Sequence, residues 1–180
     1  MMRKRRMLTA WLRRGLAGVA LLVSAWATAG DSVYLEPAEF IAGAFPGAAP
    51  QLRVLWLTPD IRAGATRILG HEPAQLRQKY WTDGQRTAWI LDEIGKEDPI
   101  TAGFVVHAGR IEQARVLIYR ESRGGEIRYP SFVAQFQGAA LAADGHLNRG
   151  IDGISGATLS VDAMLRMSRA ALFLAQAAAK

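Results

Sequence analysis

Three runs rich in β-branched and aromatic residues follow one another between positions 86 and 121, and their spacing constrains the fold more than any other feature. "RTAWILDEIG" (86–95), "ITAGFVVHA" (100–108) and "IEQARVLIYRE" (111–121) are separated only by residues 96–99 and by Gly109-Arg110. Connections this short cannot hold a crossover, so the neighbouring strands run antiparallel. In the third run Ala114, Val116 and Ile118 share one face and Arg115, Leu117 and Tyr119 the other, which predicts a sheet with one buried side.

Helices are predicted on either side of these strands. In "TPDIRAGATRILG" (58–70), Thr58 suits the cap, Pro59 the first turn and Gly70 the exit, while Ile61, Ala65, Ile68 and Leu69 fall on one face. Residues 160–179 are rich in Ala, Leu and Met and place Val161, Leu165 and Leu172 near one face, again as a helix. Residues 42–50 read as a loop, and Gly124-Gly125 mark a turn. A short helix from Ser131 sets Phe132 and Phe136 four apart, for ordinary core packing or for contact with a bound ring. The expected fold is a single α+β domain, an antiparallel sheet packed against helices, with residues 30–85 a helical and loop region leading into residues 86–180.

Charge removes one class of function. The formal net charge is +6, yet six of the 22 basic residues lie in the first fourteen positions, where there is no acid. The remainder of the chain is balanced, 16 Lys and Arg against 16 Asp and Glu, so the body of the protein has no electrostatic footprint for nucleic acid. The basic start, the apolar "GLAGVALLVSAWA" and the small residues "ATA" at 27–29 have the three parts of an export signal. Residues 1–29 are therefore expected to direct export to the periplasm or beyond, with an uncleaved membrane anchor over residues 8–29 as the alternative.

There are no cysteines, so an exported chain of this kind has no disulfides, no thiolate nucleophile and no cysteine-ligated metal. His71, His107 and His146 are far apart, lack metal-ligand spacing and read as surface or turn residues. No Ser-His-Asp or paired-carboxylate arrangement marks a catalytic residue.

One stretch has the composition of a site. "DGISGATLS" (152–160) packs two glycines, an alanine and three hydroxyls directly before the last helix. Backbone N–H groups at a helix start lack internal partners and the helix dipole favours an anion there. Gly156 and Ala157 let a phosphate approach the backbone, while Ser155, Thr158 and Ser160 offer hydroxyls that donate to it or become esterified. Thr158 or Ser160 as a plain N-cap explains the same pattern equally well.

"DGISGAT" (152–158) resembles the Asp-x-x-Ser/Thr-Gly-Ala-Thr signature of the FMN-binding domain family, which includes flavin subunits of sodium-translocating NADH:quinone reductase and related electron-transfer complexes. "AGRIEQARVLIYRESRGGEI" (108–127) is similar to that family's strand–turn–strand segment, and the resemblance spans roughly residues 100–174. It implies FMN joined by a phosphoester to Thr158, installed by a flavin transferase. Ser155, Gly156, Ala157 and Asp152 lie in the signature, and Glu121 opens a glycine-containing loop near the flavin. Asp152, a carboxylate beside an anion site, suggests recognition by the transferase through a magnesium ion, with an Asx-turn as the structural alternative. Trp89, Tyr119, Tyr129, Phe132 and Phe136 are candidates for ring contact. Glu121 has the alternative of a solvated strand end.

The chain is smaller than the pump subunits and its leader reads as cleavable, so the resemblance favours a freestanding exported electron carrier that serves a membrane or soluble redox partner. A covalent tether would also prevent loss of the cofactor by dilution after export. The other readings are a non-covalent flavin-binding or sensor protein and a flavin-free periplasmic scaffold.

Overall fold

The computed structural model describes residues 31–180, so the export-signal reading of residues 1–29 lies outside the described residues. Six strands form one antiparallel sheet in the order β1-β6-β5-β4-β3-β2: β1 (Ser32–Val33), β2 (Gln51–Trp56), β3 (Arg77–Thr82), β4 (Arg86–Ile94), β5 (Pro99–His107) and β6 (Arg110–Tyr119). The helices are α1 (Pro37–Ala44), α2 (Pro59–Leu69), α3 (Pro130–Val133) and α4 (Thr158–Ala178), with 3-10 turns at Gly125–Arg128 and Ala134–Phe136. The single α+β domain and its three central strands agree with the sequence. Residues 30–85, expected as helices and loops, also contribute β1, β2 and β3 to the same sheet.

Among the described residues, no helix is long and apolar enough to cross a membrane. α2 ends as its sequence requires, with Gly70 left-handed (φ 82°) and its N–H bonded to Thr66 O at 2.8 Å. Thr58 holds the N-cap position, but its side chain makes no capping bond.

The expectation of one buried side is corrected, because helices cover both faces of the central strands. α4 and α2 lie over one face with the larger core, which includes Trp89, Phe104, Ile111, Phe136, Met164, Met167 and Leu172. α1 lies over the other, where Phe40, Ile41, Ala44 and Phe45 meet Ala88, Val105 and Leu117. Bulges explain why strict alternation failed. Thr101 pairs with Ile118 while Ala102 pairs with Val116, so Leu117 has no partner, and beyond it Ile118 falls on the α1 side with Leu117 while Tyr119 falls on the α4 side, the reverse of simple alternation.

Candidate functional site

The hydroxyl-rich stretch lies at one end of the sheet, where β6 finishes and α4 begins. Residues 151–157 approach as an irregular segment, held where the Asp152 N–H donates to Gln135 Oε1 at 2.7 Å. A turn comes next, in which the Ala157 N–H reaches Ile154 O at 3.0 Å, with Gly156 left-handed at φ 81°. Glycine reaches that conformation without the clash a Cβ would create, which is why the signature has it there.

The capping expectation is corrected here. Ala157 is the N-cap, it is buried, and it has no side chain with which to cap. Thr158 is the first helical residue, and Val161 N–H bonds to Ala157 O at 2.9 Å. Because the turn has already set the chain direction, the hydroxyls are not needed as caps, and they divide by environment. Ser155 and Thr158 are exposed, whereas Ser160 is 4 % exposed with its Oγ 3.0 Å from the Tyr119 hydroxyl. Tyr119 also donates to the Arg123 carbonyl, and burial pushes its phenol above the usual value.

The loop after β6 seals this joint. Gly124 is left-handed (φ 89°), and a Cβ there would stand 2.8 Å from Ser160 Oγ, 2.9 Å from the Tyr119 hydroxyl and 3.3 Å from the Ala157 Cβ. Glu121, at the start of that loop, is half-buried rather than a solvated strand end. Its Oε1 accepts the N–H groups of Lys96, Glu97 (2.7 Å) and Asp98 (3.0 Å), which pins the β4–β5 turn. Burial alone would raise this carboxyl, but the three backbone donors outweigh it and hold the pKa below the usual value. Asp152 is exposed, and its carboxylate forms no ion pair among the described residues.

Most of the aromatic candidates belong to the core. Trp89 is fully buried and stacks on Tyr80 with centroids 4.7 Å apart, Phe132 and Phe136 meet edge to face at 5.5 Å, and Tyr119 is committed to Ser160. Tyr129 is the candidate that remains exposed. The Arg128 guanidinium lies 4.9 Å from its ring and 4.6 Å from that of Tyr34, forming an exposed ledge. Gly124 abuts Ala157 and the adjacent Gly125 abuts Arg128 and Tyr34, so ledge and helix start flank the same loop. Sequence reasoning missed this ledge because Tyr34 comes from β1's end of the chain, far from Arg128.

The residues at the helix start fit a phosphate ester. An exposed hydroxyl stands beside helix N–H groups that lack internal partners, and space is open at Gly153 and Gly156, where an added Cβ would meet nothing within 4 Å. The cleft of about 740 Å³ lies at the opposite end of α4, against Ala175, Ala178 and Ala179.

Residues 95–172 match the FMN-binding domain family, a span from the end of β4 through most of α4 that includes the turn and Thr158. No curated protein and no solved structure matches the chain.

Proposed function

The chain carries an FMN-binding domain over residues 95–172, and on that premise we propose that it is an exported electron-transfer protein holding FMN through a phosphoester to Thr158. The observation that carries this reading is the sorting of hydroxyls. Thr158, at the position of the signature's last threonine, is exposed on the first residue of a 21-residue helix, while Ser160 is buried and bonded.

Each neighbour has a task in this reading. The unpaired N–H groups of the first helical turn steady the anion. Gly156 supplies the left-handed turn and leaves the approach open, and the exposed Ser155 hydroxyl is a further donor. The Ser160–Tyr119 contact fixes the helix start against the sheet, so that Thr158 is held in one place. Asp152 offers an unpaired carboxylate to a flavin transferase and its magnesium ion. Bound FMN supplies one- or two-electron transfer. The basic and apolar leader supports export, and a membrane or soluble partner would exchange the electrons.

Co-expression with a flavin transferase followed by intact-mass measurement tests the attachment. The expected added mass is that of FMN less one water. A yellow protein whose colour leaves on denaturation would support the non-covalent reading, and a colourless one the flavin-free scaffold.

A further inference from the structure

β2 is an edge strand, paired with β3 on one side and open on the other. Leu52, Val54 and Trp56 are 54 %, 42 % and 62 % exposed. They alternate with Leu55, which packs against the larger core beneath α2 and α4, so all three project from the face that α1 occupies. α1 contacts β4, β5 and β6 there, Trp81 of β3 packs at the margin of its cluster, and beyond Trp81 the outer residues of β2 and β3 stay exposed.

The pairing register adds charge to this wing. Trp81 stands opposite Leu52, Lys79 opposite Val54 and Arg77 opposite Trp56, and residues directly opposite share a face. Lys79 and Arg77 are exposed, and neither forms an ion pair among the described residues. The Arg77 guanidinium lies 6.0 Å from the Trp56 ring centroid. Asp92, the β4 carboxylate on this face, accepts the Thr101 hydroxyl at 2.5 Å.

We propose that this wing is a peripheral contact surface for an anionic phospholipid membrane. Aliphatic side chains and a tryptophan suit the boundary between headgroups and acyl chains, and the two unpaired cations complement the phosphates. A second copy is the weaker fit. Pairing of β2 with its own edge would engage a strand of 6 residues, fewer than the roughly 20 to 30 residues a side that a stable interface uses. The surface also leaves the flavin side free. Pairing sets Trp56 and Arg77 at the sheet end shared by Ile94, Pro99 and Tyr119, where α4 begins, while α4 itself lies on the opposite face.

The absence of cysteine gives a direct test in the full chain. Val54→Cys carries an environment-sensitive fluorophore, and Ala143→Cys, exposed in the loop beside α2 and α4, serves as the control. With vesicles of phosphatidylcholine containing about a quarter phosphatidylglycerol, the label at 54 is expected to shift to apolar emission and the label at 143 to stay unchanged. Phosphatidylcholine alone should give a much smaller shift. Lys79→Gln should weaken the partition read at 54 about five-fold, and adding Arg77→Gln about twenty-five-fold. No shift at 54, an equal shift at both labels, or one insensitive to lipid charge and to both substitutions would overturn the proposal. So would a shift without lipid that grows with protein concentration, which would assign the wing to a second copy. The label reports lipid contact whether or not flavin is attached, so this test and that of Thr158 fail separately.

Discussion

The Tyr119 hydroxyl lies 3.0 Å from Ser160 Oγ, tying the last residue of β6 to the first turn of α4 just two residues beyond Thr158. This contact separates two hydroxyls that look interchangeable in sequence. Ser160→Ala leaves a buried phenol short of one partner, which costs about 1 to 3 kcal/mol for a group of this kind. Denaturant unfolding should show that loss in Ser160→Ala, and Tyr119→Phe should cost more because it also strips the Arg123 carbonyl of its donor; the double variant should lose less than the two single losses combined.

The glycines of the joint are expected to rank by cause. Gly156→Ala meets open space, so its cost is backbone strain at φ 81°, about 1 to 2 kcal/mol. Gly124→Ala adds close contacts with Ser160 Oγ and the Tyr119 hydroxyl to its own left-handed strain, and should cost more. Gly153→Ala has neither a left-handed backbone nor a neighbour within 4 Å and should be close to neutral. Thermal melts of the three variants check the order, and equal losses would contradict it.

How much of this was legible in the sequence depends on how far apart the interacting residues lie. The strands from 86 to 119 could be read because alternation and short turns are local signals. β2 and β3 could not, since "QLRVLW" and "RQKYWT" mix cations with apolar residues at an exposed edge and bury little to mark them. The signature located the turn before α4, but local propensity put the cap on a hydroxyl. The bond from Ala157 to Ile154, with Gly156 left-handed, had already set the helix start. The Tyr119–Ser160 pair spans 41 positions, and the Glu121 contacts with the β4–β5 turn span 23 to 25, so no local pattern encodes either.

His71, which read as a plain surface residue, gives a pH dependence. Its Nε2 lies 3.0 Å from the carboxylate of buried Glu93 and its Nδ1 3.1 Å from the Glu72 carbonyl, so the doubly protonated ring can donate to both. The bond to Glu93 first, and the Glu72 carbonyl second, raise its pKa above 6.5. A raised folded pKa means that the contribution is fully present below 6.5 and is lost as pH rises through the folded value. Melting temperature should therefore decline above neutral pH in the parent protein, and His71→Gln should flatten that part of the profile. An unchanged slope in His71→Gln would assign the decline to another group.

Thr158 is exposed, and its hydroxyl has no hydrogen-bond partner among the described residues, so its substitution separates attachment from folding. Thr158→Val keeps the shape and removes the oxygen, Thr158→Ser keeps the oxygen and removes a methyl, and each should change stability by no more than about 0.5 kcal/mol. After co-expression with a flavin transferase, Thr158→Ser should retain the added mass and the in-gel flavin fluorescence of denatured samples, and Thr158→Val should lose both while melting like the parent. Ser155→Ala and Ser160→Ala should keep the flavin, although the second is less stable. Fluorescence that survives in Thr158→Val and vanishes in Ser155→Ala would move the ester to the other exposed hydroxyl, on the far side of Gly156, and the helix start would then hold the phosphate without being joined to it.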